Sequence, residues 1–176
     1  DHVNLSFIAE ENDIQYKYVK DINAPHILEW IESLNPEVIY CFGWSSLIKT
    51  ELLCLSPLGV IGYHPAELPM NRGRHPLIWA LVLGLKRTAS TFFKMDEGAD
   101  SGDILSQNII PIERGDYAAD LYKKIIESAK KQVQEFTHQL AKREHTFAVQ
   151  DHSKANLWRK RGITDGCIDF RMSSDS

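Results

Sequence analysis

"GVIGYHPAELPMNRGRHP", residues 59–76, joins a short apolar run to a loop carrying three prolines, two arginines and one glycine. The run is apolar at successive positions rather than alternate ones, the pattern of a strand buried on both faces. "EVIYCF" (37–42), β-branched and aromatic after Asn35-Pro36, reads the same way. Helical patterns separate the strand-like runs. In "NAPHILEWIESLN" Asn23 is a candidate N-cap, Pro25 sits in the first turn, and Ile27, Leu28, Ile31 and Leu34 form one stripe. Residues 74–85 read as a second helix, with Trp79, Leu81 and Leu85 in the core. From Asp116 as N-cap a long helix carries Leu121, Ile125, Ala129, Val133, Phe136 and Leu140 at spacings of three or four. "QYKYV" (15–19), "STFFKM" (90–95) and "ILSQNIIPI" (104–112) complete the strands. This alternation predicts an α/β fold, Rossmann-like, with a mainly parallel sheet and helices on both faces.

Composition bounds the function. The 176 residues, 43% apolar, suit one domain with a real core, and a net charge of −4 gives no basic excess to neutralise a nucleic-acid backbone or anionic lipid. Cys41, Cys54 and Cys167 are odd in number and include no CxxC pair, so neither a disulfide framework nor a zinc knuckle is expected. No run approaches the roughly 18 apolar residues of a membrane span, and residues 1–13 have no signal-peptide pattern. The expected protein is soluble and cytoplasmic, with no nucleic-acid or membrane partner.

In open sheets of this type ligands bind beyond the carboxyl ends of the strands, where His64 falls. Pro65 biases its backbone toward extended geometry, and Pro69 and Pro76 stiffen the rest of the loop. By itself a histidine before proline is an ordinary strand end. A second segment, "MDEGADSGDILSQ" (95–107), changes the balance. It could be a solvated hairpin loop, yet Asp100 has Gly98 and Gly102 two positions to either side, which lets the backbone turn tightly and carry one carboxylate into a crevice. An imidazole beside a carboxylate is a recurrent general acid and base device.

Together the two segments resemble the formyltransferases that use 10-formyltetrahydrofolate, whose members act on glycinamide ribonucleotide, methionyl-tRNA or nucleotide-linked amino sugars. "GYHPAELPMNRGRHPLIWALVLG" (62–84) is similar to that family's histidine-proline, leucine-proline, arginine-glycine loop and its following helix, and "TASTFFKMDEGADSGDILSQ" (88–107) to its aspartate loop. The register from position 64 to position 100 agrees as well. "LWRKRGITDGCIDFRMS" (157–173) resembles the stretch by which the sugar formyltransferases leave the catalytic domain.

The resemblance implies transfer of a formyl group from the folate co-substrate to a primary amine, with no metal. His64 would polarise the carbonyl and relay a proton, and Asp100 would orient and charge the imidazole. The family's third residue, an asparagine two before the histidine, is here Gly62, which offers no oxyanion donor. Asn71, in the same loop, is the candidate substitute. The folate is expected against Trp44, Ser46, Leu47 and Ile48, with Gly98 and Ala99 closing the other side; Trp44 could equally belong to the core. Arg72 and Arg74 read either as forks for a substrate phosphate or carboxylate or, for Arg72, as a brace of the turn. A full domain of this family begins with further elements, so the resemblance implies a catalytic domain over 1–150 that lacks N-terminal elements, followed by an extension over 151–176. The partner expected is a small-molecule amine, a nucleotide-linked amino sugar first. Methionyl-tRNA, a ribonucleotide amine, hydrolysis of the formyl donor and a non-catalytic ligand-binding relative are the alternatives. Exposed apolar surface on the long helix would mark a homodimer face.

Other features carry less. His138, His145 and His152 recur every seven residues, roughly 10 Å along a helix and too far apart for one metal. "KANLWRKRG" is a short basic run in an acidic chain, and "GWSSL" lacks the second glycine of a nucleophile elbow.

Overall fold

The computed structural model describes residues 3–44 and 46–167. Its elements in chain order are α1 (Ser6–Glu11), α2 (Pro25–Ser33), β1 (Ile39–Cys41), α3 (Thr50–Leu53), β2 (Val60–His64), β3 (Arg72–Gly73), α4 (Pro76–Val82), β4 (Arg87–Lys94), β5 (Ile104–Pro111), α5 (Ala118–Lys142) and β6 (Leu157–Trp158). A four-stranded sheet runs β1-β2-β4-β5, and β3 pairs with β6 in a small second sheet. Successive residues of β2 serve opposite faces, as a doubly buried strand requires. Val60 packs with Ile48, Leu52 and Leu53 under α2 and α3, while Ile61 joins Phe92, Phe136 and Leu140 under α5. Helices therefore cover both faces, and the α/β, Rossmann-like architecture is as expected. Buried Leu121, Ile125, Phe136 and Leu140 lie on the predicted stripe of α5, together with Gln132, whose amide reaches the Ser90 carbonyl and the Ser106 hydroxyl.

The sheet is less parallel than the alternation suggested. β1 and β2 are parallel, but β2 with β4 and β4 with β5 are antiparallel. Two physical reasons account for this. The turn from β4 to β5 is shorter than the dozen or so residues a parallel crossover needs. Helix α4 has only 7 residues, about 10 Å of rise, so it does not carry the chain back along the sheet before β4 begins.

Smaller expectations also differ. "QYKYV" (15–19) forms no strand; Tyr16 and Tyr18 are exposed and stack edge to face. Alternation makes a strand only where an edge is available to pair with it. Asn23 does not cap α2. Its side chain instead donates to the Leu47 carbonyl at 2.9 Å and accepts from the Lys49 N–H at 2.9 Å, holding the segment after β1. Asp116 is not the cap of α5 either; its carboxylate accepts from Lys124 and from Glu113 N–H, which lowers its pKa. Of the C-terminal extension, residues from 168 onward lie outside those described.

Candidate active site

His64 ends β2 and lies directly across the ladder from Thr91 of β4. The loop after it is irregular, yet its carbonyls are paired, as buried backbone must be. Thr88 Oγ1 donates to the Pro65 carbonyl at 3.2 Å, Thr91 Oγ1 to the Ala66 carbonyl at 2.7 Å, and Gln107 Nε2 to the Leu68 carbonyl at 3.0 Å. The loop then bends back so that the Asn71 carbonyl sits 2.8 Å from His64 Nε2. A carbonyl can only accept, so Nε2 carries the proton and the lone pair of the neutral ring is on Nδ1. Nδ1 lies 3.6 Å from Asp100 Oδ2, with the two side chains 6% and 22% exposed. The same carboxylate oxygen accepts from the Gly73 N–H at 2.8 Å.

Asp100 stands in the loop joining β4 to β5. A Cβ on Gly102 would collide with the Lys94 carbonyl oxygen, so the chain can cross there only as glycine. Asp100 itself has φ of 53°, left-handed backbone that aspartate tolerates better than most side chains. Within the loop, Asp96 Oδ1 accepts from Gly98 N–H and Ser101 Oγ.

The pair opens into a cleft of about 380 Å³. Trp44, Ser46, Leu47 and Ile48 line one side, Gly98 and Ala99 another, and Arg74 reaches it beside Gly73; all were expected near the site from the sequence. Phe93 and Met95 extend the apolar wall. Tyr63 borders the cleft as well, but its ring packs on Phe92 and its hydroxyl accepts from Ser90 Oγ at 3.2 Å. A larger groove of about 580 Å³ between β5 and α5 holds none of these groups.

Two candidates are elsewhere. Asn71 does not line the cleft, and its contact with the pair is the backbone carbonyl at His64, so an oxyanion donor from its side chain has no geometric support. Arg72 points away from the cleft, donating to Gln150 Oε1 at 2.6 Å and contacting His152 Nδ1 at 3.1 Å. It braces the turn, which was one of its two readings. Gly62 is explained by packing: a Cβ there would lie 2.7 Å from Met95 Cγ and 3.1 Å from Phe93 Cζ. Met95 fills the room that a side chain at position 62 would need.

The groups that secure these loops escaped the reading of local pattern. Asn156 Oδ1 accepts from Asn71 N–H at 2.7 Å, and β6 lies parallel to β3, so residues after 150 return to the site before continuing. Gln150, just before the boundary expected at 150–151, and Asn156, just after it, both bond to the loops of the site. Gln150, isolated in "FAVQDH", has no periodic signal to reveal it. Among the described residues no group of three or more His, Cys, Asp or Glu side chains could hold a metal, and no helix is long and apolar enough to cross a membrane.

The formyl transferase family profile matches residues 6–137. The fold is similar to that of WlaRD, a sugar 3-N-formyltransferase solved in the presence of dTDP and 5-N-formyl-THF, with TM-score 0.74 and 18% identity over 97% of this chain and 59% of that one. It is similar also to the N-formyltransferase from Helicobacter canadensis in complex with folinic acid and dTDP-3-aminofucose, with TM-score 0.75 and 18% identity over 97% and 60%. Methionyl-tRNA formyltransferase from Clostridium thermocellum matches with TM-score 0.70 and 21% identity over 97% and 72%. This chain thus spans about three fifths of the length of the two sugar enzymes.

Proposed function

The chain belongs to the formyl transferase family, and from that premise we propose that it transfers a formyl group from 10-formyltetrahydrofolate to the primary amine of a nucleotide-linked amino sugar. The observation that carries this reading is the approach of His64 Nδ1 to Asp100 Oδ2, 3.6 Å, in a cleft also lined by Trp44, Leu47, Ile48, Phe93 and Met95. A cleft of about 380 Å³ is within the roughly 300–1,000 Å³ typical of small-molecule sites. Trp44, Leu47, Ile48 and Met95 offer apolar surface to the folate ring system, and the polar edge of that ring can be met by backbone groups of residues 46–48 and 98–99. The folate supplies the formyl carbon and the departing nitrogen.

The protein's part is positioning and proton transfer. The amine attacks the formyl carbon, the carbonyl oxygen takes up negative charge, and the C–N bond to the donor breaks as its nitrogen gains a proton. With Nε2–H committed to the Asn71 carbonyl, Nδ1 accepts the proton lost by the amine and returns it to the departing nitrogen. Asp100 stabilises the imidazolium in between, and Gly73 N–H keeps the carboxylate in place. With Met95 against Gly62, no side chain at 62 stabilises the oxyanion. That charge falls to the imidazolium and to the donors on the cleft wall.

The acidic chain favours a small-molecule amine over methionyl-tRNA, since an RNA ligand is held chiefly through phosphate neutralisation. Arg74, on the cleft wall, is the group proposed to meet the anionic part of the substrate. The test is an amine-dependent assay of the full chain with 10-formyltetrahydrofolate and a panel of dTDP- and UDP-linked amino sugars, followed by mass detection of the formamide. Formylated sugar is expected, and His64→Ala should lower its rate by about 10²–10⁴-fold. Folate binding without product from any amine would refute the transfer; tetrahydrofolate released without an amine would replace it by hydrolysis.

A further inference from the structure

We propose that Gln150, acting through Arg72 and the Asp100 backbone, is a positioning residue that sets the distance between His64 and Asp100. The inference rests on the reading of that pair as the reacting centre, and it concerns a residue beyond the 6–137 match to the family profile. Gln150 is 3% exposed and its amide is fully engaged. Nε2 donates to the Asp100 carbonyl at 3.0 Å and to the Gly102 carbonyl at 2.6 Å, while Oε1 accepts from Arg72 at 2.6 Å. The flipped amide is excluded, because it would set Oε1 against two carbonyl oxygens and the NH₂ against a guanidinium.

The contacts join the two halves of the site. Arg72 belongs to the strip whose neighbours, Asn71 and Gly73, touch His64 and Asp100 respectively. On the other side, Gln150 grips the carbonyl of Asp100 itself, a residue held in left-handed backbone at φ 53°. Left-handed non-glycine residues persist only where the surroundings over-determine them. Within the Asp100 loop Asp96 accepts from Gly98 and Ser101, while Thr50 and Val60 reach the loop only at Glu97 and Met95, so Gln150 and Gly73 are the groups from outside that hydrogen-bond Asp100 itself. Position 150 is delivered there by paired backbone bonds of 2.8 Å between Ala148 and Ile104, just beyond the loop. One amide therefore spans three segments that are distant in sequence.

The test compares Gln150→Leu and Gln150→Glu with the wild-type full chain. Leucine keeps the volume and loses every bond; glutamate still accepts from Arg72 but donates nothing to Asp100 or Gly102. Both should lower kcat by about 10–100-fold, the cost of a displacement approaching 1 Å, with KM for folate and amine within about two-fold. In an Asp100→Asn background, which keeps the left-handed backbone but removes the charge, Gln150→Leu should cost nothing further. A general loss of folded protein would persist in that background. An activity-independent reading comes from ¹⁵N-histidine NMR: the His64 Nε2–H exchange with water should accelerate about ten-fold or more in Gln150→Leu, while the remaining amide spectrum is retained. Single variants within two-fold of wild type in kcat, an undiminished effect in the Asp100→Asn background, or unchanged ring exchange would each overturn the proposal. If Asp100→Asn alone left turnover intact, the assignment of the reacting pair would fail instead, and the positioning role of Gln150 would stand or fall on the ring exchange.

Discussion

The two loops that meet at the cleft are held in opposite ways. The His64 loop is tied to the sheet along its length, by Thr88, Thr91 and Gln107 from the strands beneath it and by the fork between Arg87 and Glu67. The Asp100 loop is bonded within itself through Asp96, and the outside residues that reach it are Gln150, Gly73, Thr50 on Glu97 and Val60 on Met95. An irregular segment whose carbonyls are met by side chains of a sheet becomes as rigid as the sheet. A hairpin loop depends on a few contacts and on glycine at the crossing. Substitutions under the first should be felt as loss of stability spread over many sites, and those in the second as sharp effects at one or two.

The largest effect is expected in the Asp100 loop. Gly102→Ala drives a methyl group into the Lys94 carbonyl and should destabilise by roughly 2–3 kcal/mol, a Tm fall of about 5–10 °C in thermal denaturation. A fall under about 2 °C would mean that this loop is as pliable as its self-contained bonding allows. Next comes the His64 side. Thr91→Val keeps the shape but strands the Ala66 carbonyl and one bond of Gln107, at about 1–3 kcal/mol by urea denaturation. If that substitution were neutral, the sheet would not be what stiffens the loop.

Alkali should weaken the strands that lead into the cleft. Burial pushes the Tyr63 hydroxyl up to about 12 and the Cys41 thiol up to about 11. Both folded-state values lie above the unfolded ones, so the stabilisation is complete below the unfolded values and is lost as pH rises through the folded ones. Urea midpoints measured from pH about 8 to about 11 should fall steadily, and Cys41→Ser should flatten the early part of the decline. The smallest effect is expected at the rim: Arg87 is 60% exposed, so Arg87→Ala should cost under about 1 kcal/mol despite its two short bonds to Glu67.

His64 and Asp100 stood out in the sequence because two runs of stiff or turn-forming residues, each ordinary by itself, occur together at a spacing that resembles the family's. Trp44, Ile48 and Ala99 were placed near the site only through the family resemblance, whereas Gly98 also stood out as a turn glycine beside Asp100. Asn71 misled because its type suggested a side-chain donor, whereas the loop uses its carbonyl and its left-handed backbone, φ 64°. Arg72 was weighed both as a ligand fork and as a brace of the turn, and local pattern left the two readings even because its partners, Gln150 and His152, come from the far end of the chain.

Local pattern determined the strands β1, β2, β4 and β5 and the helices on both faces, since burial periodicity and turn chemistry are properties of neighbouring residues; His64 and Asp100 stood out as a pair only when two separate loops and the family resemblance were taken together. Which strands run parallel, what fills the space beside Gly62 and how Gln150 joins the two loops depended on segments far apart in sequence. Those contacts are settled by packing and by the need to pair every buried polar group, and no short stretch of residues encodes them alone.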